Sequence, residues 1–183
     1  LYPAFSSYFA QNKELLKATF QKSLIFLGII GTPVSLGLIA LARPLMLRVY
    51  TGEYELSILP LQILLISLIF LFFNFPLGSL LNACNRQTRN TVHIGMVMIV
   101  NLILNLILIP KYSYNGAAIA SSLSTVLMFI LQMSVARQIV DVDVKYLLAK
   151  FGAILIAGAA MYFSLTYLLD FFNFILLIPV GGV

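Results

Sequence analysis

Few side chains in this sequence could do chemistry, and most of those are amides. Asn101 and Asn105 lie one helical turn apart in the run TVHIGMVMIVNLILNLILIP, so they share a helix face. An amide inside an apolar run needs a hydrogen-bond partner, which turns that face toward protein. Such a pair either packs helices together or touches a polar substrate. Asn74 and Pro76 fall in the later half of another apolar run. Pro76 frees a backbone carbonyl one turn back, so this point is a structural kink or a moving hinge. Gln62, Gln132 and scattered Ser and Thr complete the polar set within the runs. Arg86 and Arg89 stand in the polar stretch NACNRQTRN, placed to meet a lipid phosphate or to act only as topology determinants. His93, near one end of its run, reads as a packing or interface histidine.

Other chemistry has no residues to carry it. One histidine and a few loop carboxylates do not make a nucleophile–base–acid set, so no catalytic residue is assigned. No spacing suits a metal, and no glycine-rich loop with a lysine holds a nucleotide phosphate. The single Cys84 excludes an internal disulfide. No acidic or basic residue occupies the centre of a span, where charges mark ion or substrate paths. The expectation is therefore no enzyme and no cofactor, with any transport coupled to protons, sodium or the membrane potential. Substrate-binding candidates are Asn74, Asn101, Asn105, Arg86 and Arg89, and hinge candidates are Pro33 and Pro76.

The elements that position these residues are apolar helices. The chain is 61% hydrophobic and 9% charged, with a mean hydropathy of +1.03, far from the balance of a soluble domain. The fold class is all-α, a polytopic integral membrane bundle, expected as a fragment with about six transmembrane helices of which the last is truncated. Two long apolar runs around the polar turn KYSYN form a membrane hairpin over Thr91–Ala136. Without Trp, an aromatic belt must come from the nine Tyr. The net charge of +5 belongs to dispersed loop residues, and nucleic-acid binding has no support.

In chain order, residues 1–22 read as a cytoplasmic amphipathic helix leading into the membrane. Phe5, Phe9, Leu16 and Phe20 form one face, with Lys13 and Lys17 on another. Residues 23–137 hold four spans. The first, over 23–42, contains Pro33 in its middle, and the second covers 57–83 after a connection at 43–56 with Tyr50 and Tyr54 at headgroup level. Residues 138–183 read as an interfacial elbow and two further spans. Val140, Val144, Leu147 and Leu148 share the elbow's face, a fifth span covers 151–169, Asp170 marks a turn, and a sixth span starts at Phe171 without finishing. The start at Leu1 without Met and the stop inside an apolar run suggest a piece of a longer protein.

Lys13, Lys17, Lys22, Arg86, Arg89, Arg137, Lys145 and Lys150 fall on one side of this topology, and Arg43, Arg48 and Lys111 on the other. The positive-inside rule places the first group inside. Residues 1–22, 84–90 and 137–150 are then cytoplasmic in a multi-pass inner (plasma) membrane protein, and KYSYN faces outward.

Several segments in order carry a family resemblance: LYPAFSSYF, PLMLRVYTGEY, LPLQILLISLIFLFFNFPLGSLLNACNRQ and NLILNLILIPKYSYNGAAIASSLSTV. They resemble the polysaccharide-export flippases, relatives of the O-antigen and lipid II translocases in the superfamily that includes the multidrug and toxin extrusion transporters. The resemblance covers residues 1–137 well, and the rest in hydropathy only. It implies two lobes that rock around a central cavity, this chain supplying most of the second. The implied function is flipping of lipid-linked oligosaccharide repeat units across the bacterial inner membrane for polysaccharide biosynthesis. The implied partners are membrane lipids, a polyprenyl-pyrophosphate-linked sugar and an N-terminal lobe lying outside this sequence. The resemblance implies that the family's cavity charges sit largely on its first, second, seventh and eighth helices, which lie outside this sequence, so no substrate residue is carried over. Pro3, Gly52, Asn82, Asn101, Asn105, Pro110 and Gly116 match the family pattern as fold-keeping positions. Alternatives are a cation-coupled drug exporter of the sister branch, which would need intramembrane carboxylates, and a non-transporting membrane scaffold subunit.

Overall fold

Apolar runs of this length become helices because a hydrocarbon environment leaves the backbone no partners but its own. The structure, a computed structural model, describes residues 1–49 and 52–177. Six helices account for nearly all of it: α1 (Tyr2–Gln11), α2 (Lys13–Val49), α3 (Ile58–Ala83), α4 (Gln87–Tyr112), α5 (Tyr114–Ile139) and α6 (Val144–Leu177), with a short 3-10 turn at Gly52–Ser57. Five of them are long and apolar enough to cross a bilayer, all but α1. The chain is a multi-pass helical membrane bundle.

Local chemistry sets the breaks. The expected leading helix over 1–22 splits at Asn12, which is extended and whose side-chain oxygen accepts the N–H groups of Glu14 and Leu15 at 3.0 and 3.1 Å. That N-cap starts α2 afresh and turns it away from α1. Asp143 does the same for α6, accepting the Tyr146 N–H at 3.0 Å. Between α3 and α4, Asn85 takes a left-handed conformation (φ 57°) and the Arg86 N–H returns to the Leu81 carbonyl at 2.9 Å. This is a Schellman stop with asparagine in glycine's usual place. The polar KYSYN turn reduces to Ser113 alone, at φ 52°, with helix on both sides.

Three boundaries differ from the sequence reading. The 37 residues of α2 absorb both the expected first span and part of the connection at 43–56, and the helix passes through Pro33 and Pro44 without a break. At ~1.5 Å per residue it is about 55 Å long, so its Lys-rich start projects beyond a ~30 Å core. No turn occurs at Asp170: α6 continues to Leu177, because one carboxylate near a helix end does not interrupt the backbone ladder. The rest of the expected sixth span, and Tyr50, lie outside the described residues. In the elbow, Val140 and Val142 are buried but precede the helix, while Leu147 is buried and Leu148 exposed. Those residues thus do not share one helical face.

The helices form a row, α6–α2–α3–α5–α4, with α1 laid across α2 and α3. Side-chain register fixes the directions. A Cβ on Gly28 would meet Phe73 of α3, and Ser35 donates to the Leu65 carbonyl, so α2 and α3 are antiparallel. A Cβ on Gly28 would also meet Phe151 of α6, and Gly158 lies against Thr32 and Leu36, so α2 and α6 run parallel. On the other flank, Ser122 of α5 donates to the Ile63 carbonyl at 3.1 Å and Gly78 of α3 faces Gln132 of α5, a parallel pair.

The tightest core gathers at the end where α1 lies. Phe5, Leu16, Phe20, Leu24, Leu77, Leu80 and Leu81 are fully buried there, joined by Val135, Ala136, Val140 and Leu147. Phe5 and Phe20 meet edge to face with ring centres 6.2 Å apart. Residues 1–22 therefore pack into the protein rather than only lying along the interface. The two ends of the row stay apolar and open. Met98, Leu102 and Leu106 line one face of α4, and Ile156, Phe163 and Tyr167 one face of α6, each at least 60% exposed. Such faces suit acyl chains or another membrane helix.

Candidate functional site

Helix α5 is the rail on which the polar residues meet. Its neighbours α3 and α4 flank it, and both send amides to it. Asn101 of α4 donates to Ser124 Oγ at 3.0 Å, and Asn105 donates back to the carbonyl and side-chain oxygens of Asn101, both at 2.9 Å. From the opposite side, Asn74 of α3 donates to the Thr125 carbonyl at 3.3 Å. Ser124 and Thr125 are consecutive, so Asn74, Asn101 and Asn105 come together at one level of the bundle. Asn74 Oδ1 is buried without a hydrogen-bond partner. All three amides are half-buried. Chemically this cluster offers donors and acceptors but no charge. It can orient a polar group or hold helices in register, and it cannot move a proton.

A second amide chain, nearer the core end, was not foreseen. Gln132 of α5 donates to Asn90 Oδ1 at 2.8 Å, and Asn90 donates to Asn82 Oδ1 at 3.0 Å, joining α5, α4 and α3. Gln132 is 3% exposed and Asn90 6%. Gly78 leaves the room, since a Cβ there would stand 3.4 Å from Gln132 Nε2. A signal was available in the sequence. Asn90 lies eleven residues before Asn101, three helical turns, so Asn90, Asn101 and Asn105 form one polar stripe along α4. That α5 covers this stripe, and that Asn82 reaches it from α3, needed the packing.

The cations expected on one side do collect at one end. Lys17 pairs with Asp141 at 3.6 Å, and exposed Arg89 donates to Gln138 Oε1 at 2.7 Å, tying α4 to the end of α5. Arg86 is also exposed, on the rim of a cavity of about 450 Å³ formed by Phe9, Lys13, Cys84, Asn85, Arg86, Gln138 and Ile139. Arg86 and Arg89 are thus at the surface of this end, and Asn74, Asn101 and Asn105 lie in a separate cluster. Cys84 is buried in the turn, and desolvation pushes its thiol up to about 11. At the opposite end, Arg43 and Glu55 form an exposed pair at 3.6 Å.

Pro33 and Pro76 sit in continuous helices. Pro76 is fully buried. One turn before it, the Phe72 ring lies on the backbone of Gly31, where a Cβ would fall within 2.7 Å of the ring. The α2–α3 contact next to the candidate hinge is therefore a ring seated on glycine backbone, with no room for a side chain at residue 31. Among the described residues, no three His, Cys, Asp or Glu side chains gather to hold a metal.

Comparisons with known proteins match this geometry. A membrane protein of Methanocaldococcus jannaschii is 27% identical over 186 residues, covering 100% of this chain and 36% of its own length. The membrane protein YabM of Bacillus subtilis is 27% identical over 117 residues, covering 62% of this chain and 21% of its own. The chain thus spans about a third or less of the relatives it matches. The inward closed conformation of the lipid II flippase MurJ shares the fold, with a TM-score of 0.71 at 20% identity, over 92% of this chain and 36% of that one. The MatE family profile matches residues 6–107, which carry α2, α3 and most of α4. With that match across more than half its length, the chain belongs to the MatE family.

Proposed function

We propose that this chain forms most of the second lobe of a transporter that flips lipid-linked oligosaccharide units between leaflets by alternating access. Membership of the MatE family carries the reading, with the fold it shares with a lipid II flippase in support. The open row of helices fits a lobe. Its end helices α4 and α6 present apolar faces, and its polar residues are neutral amides on internal seams. In this reading residues 1–22 pack at the cytoplasmic end of the lobe, 23–137 supply its first four spans, and 138–183 continue it. The cationic end faces the cytoplasm, as the positive-inside rule directs. Pro33 and Pro76 flank the α2–α3 contact, where a small change in helix bend would tilt the lobe. Asn74, Asn101 and Asn105 serve first as the packing seam of α5, with substrate contact as a second role.

The test uses the full-length gene in a bacterium lacking its own lipid-linked-oligosaccharide flippase. Restored surface polysaccharide with unchanged drug tolerance supports the proposal. Raised drug tolerance without polysaccharide overturns it in favour of a cation-coupled exporter. Neither phenotype, with the protein present in the membrane and no loss of accumulated lipid-linked sugar, overturns it in favour of a non-transporting subunit.

A further inference from the structure

We propose that the cationic end carries a binding site for the phosphate of an anionic phospholipid headgroup, in the cavity bounded by Phe9, Lys13, the Cys84–Arg86 turn and the end of α5. The cavity, about 450 Å³, lies within the range of small-molecule sites and has room for a phosphate and its glycerol. Two cations reach it from separate elements, Lys13 from the start of α2 and Arg86 from the α3–α4 turn. Neither has a carboxylate within ion-pair distance among the described residues, and no carboxylate lines the cavity. Glu14, next to Lys13 in the first turn of α2, is exposed and does not line the cavity, and the other nearby acids are engaged elsewhere. Asp141 faces Lys17, and Asp143 caps α6.

The backbone around the cavity contributes in both signs. Helix α4 begins at Gln87 with Arg86 as its N-cap, with no side-chain cap and no acidic residue in its first turn. Its first N–H groups therefore have no side-chain cap beside the cavity, although the C-termini of α3 and α1 end there too, at Cys84 and just after Phe9, and oppose their partial charge. The C-terminus of α5 adds a further opposing partial charge, and the net field is carried by the two full charges of Lys13 and Arg86. Phe9 and Ile139 give the cavity an apolar wall beside its cations. A polar headgroup joined to an apolar tail matches that lining, whereas a free phosphate would use only half of it. The site is apart from the amide cluster on α5.

The inference rests on the cytoplasmic placement given above, but its assay reads binding and not transport, so it stands or falls separately from complementation. Full-length protein purified in detergent is titrated with phosphatidylglycerol or phosphatidylcholine, and retained lipid is counted by native mass spectrometry. One phosphatidylglycerol should be held above the phosphatidylcholine background. Lys13→Gln with Arg86→Gln should weaken it about thirtyfold, and either change alone about fivefold, the effect of one cation near an anionic surface. K13R/R86K should retain it. K145Q/K150Q removes the same charge from the same end but outside the cavity, and should leave it. Equal weakening by K145Q/K150Q, equal retention of the two lipids, or displacement by millimolar inorganic phosphate as effective as by phosphatidylglycerol would each overturn the proposal.

Discussion

Gly116, in the first turn of α5, lies against the last turns of α4. A Cβ there would stand 2.5 Å from the Leu108 carbonyl carbon and 2.9 Å from the Ile109 nitrogen, and closer still to the Leu108 oxygen. Non-bonded carbon atoms need about 3.5–4.0 Å. The two backbones would have to part by about 1 Å. They are joined a few residues away by the single non-helical residue Ser113, already at φ 52°, so the turn leaves little slack. Gly116→Ala therefore overpacks a backbone–backbone contact, at about 1–3 kcal/mol. Separation of α4 from α5 also stretches the 3.0 Å Asn101–Ser124 hydrogen bond, an interaction of the kind worth about 0.6 kcal/mol in a membrane. Together these predict a loss of about 2–4 kcal/mol in unfolding free energy, measured by SDS titration of the full-length protein in micelles. Gly95 supplies the control. It lies within the same hairpin in α4, but a Cβ there meets nothing within 4 Å. Gly95→Ala should be neutral or stabilising by up to about 1 kcal/mol, from helix propensity alone. A Gly116→Ala variant as stable as wild type, or equal destabilisation by both changes, would refute the reasoning.

Asn90→Ala removes the middle of the Asn82–Asn90–Gln132 chain and should cost about 1–3 kcal/mol by orphaning buried amides. A double-mutant cycle with Gln132→Ala should show coupling of about 0.6 kcal/mol or more, and strict additivity would deny the hydrogen bond. Phe5→Ala should cost about 3–5 kcal/mol because the ring is fully buried against Phe20, whereas a helix merely resting on the membrane would lose little. Cys84, with its thiol raised to about 11, should be alkylated slowly, at a rate rising about tenfold per pH unit from pH 7 to 9 with no plateau. A bend between pH 8 and 9 in peptide-mapped labelling would mean that the thiol is not desolvated. The same raised pKa favours the protonated fold, so its contribution to stability is whole below the ordinary thiol range and is lost as pH climbs toward about 11.

The class of this protein was legible from composition, because burial in lipid demands long apolar runs and imposes helices on them. The grouping of Lys13, Lys17, Arg86, Arg89 and Arg137 on one side followed from alternating spans, which is one-dimensional information. The use of Asn101 as an interhelical donor followed from the cost of an unpaired amide in hydrocarbon, although not the identity of Ser124 as its acceptor. Helix boundaries were less legible. Asp170 looks like a turn, yet α6 continues through it to Leu177, since one carboxylate near a helix end does not interrupt the backbone ladder. The break at Asn12 is a small local cap without a strong pattern around it, whereas those at Asn85, Ser113 and Asp143 fall in the polar stretches expected between spans.

What only the tertiary structure decided is the order of the row, α6–α2–α3–α5–α4, and with it every site. Apolar helix faces are chemically alike, so periodicity shows that a face is buried without naming its partner. The partner is chosen by shape, through Phe72 on Gly31, the α4 backbone on Gly116 and α1 laid over α2 and α3. Those contacts bring Asn82, Asn90 and Gln132 into one chain, and Lys13 and Arg86 onto one cavity, from positions far apart in sequence. The sequence determined what could enter the membrane and what had to find a partner there; the packing determined which partner it found.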